Sequence, residues 1–166
     1  MTYSMNRRSC IAGGAAALAL ALRGEQSYAD ETFLLLTDAE TNIFTKNPIS
    51  DDGLDTRGLS YAEKAGPIIQ VASPKGSTLK SPVNFDVRIK PKDGVAVAMS
   101  SLKVDYKLGP IWIDITGRLA GHGSVVGTRL KARGAKLPTG KHRVRLTVLD
   151  VEGRRTRAVA AFAVVG

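Results

Sequence analysis

The chain has 166 residues, 43% of them apolar and only 5% aromatic, with a formal net charge of +9. That length holds one domain with extensions, and its core must rest on Val, Ile, Leu and Ala. The one cysteine, Cys10, lies in a segment expected to be removed, which excludes disulfides, thiolate catalysis and cysteine metal sites from the rest of the chain.

Charge is unevenly spread. Residues 30–66 hold three basic groups against eight acidic ones, a balance of −5, and residues 67–166 hold eighteen against six, a balance of +12. Ahead of both, residues 1–29 read as an export signal. Asn6-Arg7-Arg8 supplies the charged part and residues 11–22 the apolar part, too short to span a bilayer as a helix. Ser27-Tyr28-Ala29 ends the segment with small residues at the first and third positions, which predicts cleavage after Ala29. In detail, Asn6-Arg7-Arg8-Ser9-Cys10-Ile11 resembles a twin-arginine signal, with Arg23 between the apolar part and the cleavage site. The resemblance implies export to the periplasm or beyond. No second apolar run is long enough to span a membrane in the mature chain.

The leader, residues 30–66, starts with the apolar run Phe33-Leu34-Leu35-Leu36. Thr37-Asp38-Ala39-Glu40 then fits a capping box, and a short helix is expected over residues 38–44. Residues 47–66, with Pro48, Gly53, Gly58 and Gly66, read as an acidic linker. Asp51-Asp52-Gly53-Leu54-Asp55 lacks the spacing and the closing Glu of a calcium loop. Its acids would instead lie on the basic domain and screen it.

From residue 67 onward, short strand patterns alternate with turns. Residues 67–72 come first, then Val83, Phe85, Val87 and Ile89 alternate with polar partners. Leu102, Val104, Tyr106 and Leu108 alternate with Lys103, Asp105 and Lys107, and Ile111, Ile113 and Ile115 with Trp112 and Asp114. Residues 117–127 read as a loop, after which Leu130 and Ala132 sit between Arg129, Lys131 and Arg133. The last hairpin is the clearest. His142, Val144, Leu146 and Val148 share one face, Arg143, Arg145 and Thr147 the other, and Asp150-Val151-Glu152-Gly153 turns into a strand over residues 155–165. About seven strands with no convincing helix predict an all-β antiparallel sandwich.

Leu137-Pro138-x-Gly140-Lys141-His142-x-Val144-x-Leu146-x-Val148-x-Asp150-x-x-Gly153-Arg154 resembles the closing hairpin of bacterial immunoglobulin-like or fibronectin type III-like modules. Ser73-Pro74 and Ser100-Ser101-Leu102-Lys103-Val104 extend the resemblance over about 100 residues. It implies an immunoglobulin-like architecture and no functional residue, since such sandwiches host many unrelated roles. Trp112 stands outside any Cys…Trp…Cys frame.

No catalytic constellation emerges. His122, between Gly121 and Gly123, and His142, on an apolar strand face, are the only histidines, and no Gly-x-Ser-x-Gly accompanies them. Gly121, Gly123 and Gly127 lack the Lys-Ser/Thr of a phosphate loop. What stands out is the basic surface. Lys103, Lys107, Arg143, Arg145, Arg155 and Arg157 are expected to point outward from neighbouring strands, and Arg129, Lys131 and Arg133 from the other sheet. The expectation is an exported, non-enzymatic binding protein without a cofactor. Its basic face would engage an acidic protein or an anionic envelope component, nucleic acid being unsuited to that compartment. The alternatives are a copper carrier using His122, His142 and carboxylates, or an accessory subunit of an exported enzyme.

Overall fold

A computed structural model describes residues 32–49, 58–75 and 78–166. The export signal with Arg7, Arg8 and Ala29, and the acidic cluster at residues 51–55, lie outside the described residues.

The fold is all-β, with two sheets face to face and two short helices. The smaller sheet joins β1 (Phe33–Leu34), β3 (Ile68–Ser73), β5 (Val83–Lys90), β8 (Gly123–Val126) and β9 (Arg129–Lys136). Its order is β1-β9-β5-β3, and β8 pairs with β9 at the strand's start. The larger sheet runs β2 (Gly58–Lys64), β11 (Arg155–Val165), β10 (Gly140–Asp150), β6 (Val97–Leu108) and β7 (Ile111–Asp114). β4 (Thr78–Lys80) also pairs with β11. Most pairings are antiparallel, but β1–β9 and β4–β11 are parallel.

All seven strands expected from the alternation are present. Val144, Leu146 and Val148 are at most 2% exposed, and they meet Val83, Phe85, Val87 and Ile89 from the other sheet in one core. Phe85 and Phe162 touch edge to face across it. Full burial of each such side chain contributes roughly 1.5–3 kcal/mol. The closing turn is fixed by Asp150. Its Oδ1 accepts the Glu152 and Arg154 backbone N–H groups, and Oδ2 accepts Arg154 Nε at 2.7 Å.

Three expectations are corrected. First, the leader is not a linker throughout. Phe33, Leu35, Leu36 and Phe44 are core residues, and Gly58–Lys64 is an edge strand paired with β11. Its mixed composition, GLSYAEK, hides a strand that, among the described residues, pairs along one edge only. Second, residues 117–127 are not one loop: α2 (Thr116–Gly121) and β8 fill most of the stretch. Third, the strands among the described residues number eleven rather than seven, the four extra ones being β1, β2, β4 and β8.

The capping box forms as expected. Thr37 Oγ1 accepts the Glu40 N–H, and Glu40 Oε2 accepts the Thr37 N–H at 2.8 Å. It starts α1 (Asp38–Lys46), which places Phe44 over the end of the hairpin. Gly140 is required there: at φ +144° a side chain is strained, and a Cβ would meet the Phe44 ring at 3.0 Å.

Candidate functional site

The larger sheet's outer face carries the arginines singled out in the sequence, but not as a loose cluster of cations. Register puts Asp105 opposite both Arg145 and Asp114. Arg145 donates to Asp105 Oδ2 from Nε at 3.0 Å and from Nη2 at 2.8 Å, and Lys103 Nζ lies 3.5 Å from the other oxygen. Asp105 is 3% exposed, so this is a largely desolvated pair. Trp112, opposite Lys107, lies beneath both the Arg145 guanidinium (4.5 Å) and Lys107 Nζ (5.3 Å). Burial alone would raise the Asp114 carboxyl, but hydrogen bonds from Thr116 and the Lys103 charge hold it below its usual range.

The expectation that Arg143 projects into solvent is also corrected: it is 4% exposed. Arg157 is half-buried, and its Nε finds no hydrogen-bond partner among the described residues. Of the six cations expected there, Lys103 and Arg155 are the exposed ones.

The two histidines do not share a site. His122 follows α2 and stacks on Phe33 at 4.3 Å, with the rings 7° from parallel. His142 is 1% exposed and stacked between Phe44 (4.9 Å) and Phe162 (5.4 Å). Its Nε2 lies 2.9 Å from the Pro138 carbonyl, which can only accept, so Nε2 carries the proton. Nδ1 then accepts from the Tyr106 hydroxyl at 2.6 Å. Burial pushes the His142 imidazole down to about 4, outweighing the Pro138 bond, and pushes the Tyr106 hydroxyl up. Both ring nitrogens are engaged, so neither is open to a metal. Among the described residues no three His, Cys, Asp or Glu side chains gather into a possible metal site. The copper alternative lacks a ligand set there.

The smaller sheet's outer face has a different charge pattern. β5 presents Arg88 and Lys90, and β9 presents Arg129, Lys131 and Arg133. The acid among them is Asp86, to which Arg129 donates from Nε at 2.7 Å as well as from Nη2. The Arg129 hydrogen bonds hold the Asp86 carboxyl below its usual range against the effect of burial, with the charges of Lys131 and Arg88 adding to them. No salt bridge among the described residues engages Arg88, Lys90, Lys131 or Arg133. Sequence reasoning named Arg129, Lys131 and Arg133 but gave them second place. Arg88 and Lys90 were visible only as the polar half of a strand pattern.

The leader does reach the basic domain through Glu40, while the acids at residues 51–55, expected to screen that domain, lie outside the described residues. Arg118 of α2 grips Glu40 with both nitrogens, at 2.7 and 2.9 Å, and also donates to the Leu35 carbonyl. The Arg118 hydrogen bonds, with smaller help from Thr37, hold the Glu40 carboxyl down at about 2 despite partial burial. This pair ties α1 to α2 and leaves the sheet cations uncovered by Glu40.

No helix among the described residues is long and apolar enough to cross a membrane. The sequence matches no protein-family model and no curated protein.

Proposed function

We propose that this is an exported, non-enzymatic binding protein whose basic sandwich surface engages an acidic partner or an anionic envelope component. One observation carries the reading: among the described residues, Arg88, Lys90, Lys131 and Arg133 stand on one outer face without ion pairs, around a single carboxylate already taken by Arg129. Like charges gathered on one face raise the local potential and draw anions to it. Folding gains nothing from leaving them unpaired among the described residues, whereas binding an anion does. Export rests on the sequence of residues 1–29, where Arg7, Arg8 and Ala29 form the signal.

The test is retention of the purified mature chain on a sulfated anionic resin as a function of salt. Changing Lys131 and Arg133 to Glu should elute the protein at clearly lower salt and flatten the salt dependence. Changing Arg145 to Ser should do less, because its charge is already matched by Asp105. Unchanged elution after the Lys131 and Arg133 reversals would overturn the reading. Crosslinking in intact cells, followed by identification of the captured component, would then separate an acidic protein from an envelope polymer.

A further inference from the structure

We propose that β8 is a docking edge that takes an extended acidic segment of a partner protein as an added strand. The inference rests on the binding reading above and names the partner's chemistry.

β8 pairs antiparallel with β9 through Gly123↔Ala132, Ser124↔Lys131, Val125↔Leu130 and Val126↔Arg129. Among the described residues, no strand pairs with its other side. An open edge presents a row of free backbone N–H and C=O groups, and proteins usually blunt such edges with charge, proline or a bulge. At four residues β8 is itself short, which limits an edge, but Gly-Ser-Val-Val has no charge, proline or bulge. Val125 and Val126 are 48% and 72% exposed, so the edge is also apolar.

Among the described residues β1 is open too, with Leu34 64% exposed, but its two residues offer too short a ladder, and the remaining edges are guarded. β3 is bounded by Pro67 and Pro74, and its Ile69 carbonyl accepts the Tyr61 hydroxyl at 2.5 Å. β2 carries Glu63 and Lys64, β4 ends on Lys80, and β7 carries Asp114 and the covered Trp112.

Charge then selects the occupant. Across the sheet Val126, Arg129 and Arg88 form one row, and Ser124, Lys131 and Asp86 the next. An added strand would lie about 10 Å from β9, two strand spacings away. That is within reach of long basic side chains and comparable to the screening length at physiological salt. A second copy of this chain would bring like charges together, so an acidic segment fits better. A polysaccharide or lipid head group could meet the cations but not the alternating donors and acceptors of the edge. Only another polypeptide backbone matches those.

The probe is a fluorescent synthetic peptide alternating Glu with Val and Thr, titrated against the full mature chain. Three further arms are the same peptide with alternate backbone amides N-methylated, a version with Lys for Glu, and inorganic polyphosphate. The acidic peptide should bind. N-methylation should weaken binding about tenfold or more, since each lost backbone hydrogen bond costs on the order of a factor of ten. The Lys version should bind at least as poorly. Lys131→Glu, which leaves the edge intact, should weaken the acidic peptide about tenfold, and Val125→Pro should abolish its binding. If Val125→Pro does not fold, the peptide arms decide alone. Equal binding of the N-methylated peptide, with competition by polyphosphate, would overturn the inference while the basic-face reading stands. Binding of neither the acidic peptide nor polyphosphate would overturn both.

Discussion

The two outer faces of the sandwich carry similar numbers of cations and put them to different uses. On the larger sheet the acids interleave with the bases. Asp105 lies between Lys103 and Arg145, Asp114 accompanies it on β7, and Trp112 receives two cations on its ring. On the smaller sheet Asp86 is held by Arg129, and the neighbouring cations have no such partner among the described residues. Counting lysines and arginines therefore misjudges available charge. What decides it is which residues the strand register sets side by side.

The largest expected effect comes from the core beneath both faces, and it has to be separated from them first. His142 is buried neutral, with a folded-state value of about 4 against 6.5 when unfolded. Because the folded value is the lower one, the unfolded state binds the proton more readily. Stability is then full above about pH 6.5 and falls as pH drops toward 4, by roughly 3 kcal/mol over that window. Urea midpoints between pH 7 and 4 should show this loss, and His142→Phe, which cannot titrate, should remove most of it. A loss of equal size in His142→Phe would mean that the surface pairs carry the acid sensitivity, contrary to the contrast drawn between the faces.

Next in size is Asp105→Asn. It leaves Arg145, whose side chain is 27% exposed, without a counter-charge at a 3%-exposed neighbour. Breaking such a pair from one side costs about 2 kcal/mol, less than for a fully buried one. Chemical denaturation of the variant checks this. A change under about 0.5 kcal/mol would put the larger face in the same class as an ordinary exposed surface.

This division of labour was only partly legible in the sequence. The alternation of His142, Val144, Leu146 and Val148 named the core face of β10, and the Thr37 and Glu40 pair named the start of α1. Both depend on neighbours close in sequence. The Arg145–Asp105 pair spans 40 residues and depends on a register that includes an irregularity between Thr147 and Leu149, which periodicity does not encode. β8 was hidden for another reason. Glycines at 121, 123 and 127 mark a loop by every local rule, yet a Cβ on Gly123 would come 2.1 Å from the Lys131 carbonyl. That glycine lets two backbones approach within the sheet, which is a second and less common use of the residue. Arg88 and Lys90 escaped notice because alternation explains them as the solvent half of a strand, and nothing local tells a solvated face from a binding one.

The smallest expected effect on stability is also the most diagnostic. Lys131→Ala combined with Arg133→Ala removes two cations that no salt bridge among the described residues engages. Surface substitutions of that kind change stability by less than about 0.5 kcal/mol, because the relief of repulsion with Arg88 is offset by the lost attraction between Lys131 and Asp86. Asp105→Asn should give the reverse pattern, a clear loss of stability with little change in anion retention. Measured together, the two variants form a crossed test. If Lys131 and Arg133 proved as costly to remove as Asp105, their charges would be serving the fold, and the smaller face would lose its claim to be the binding one.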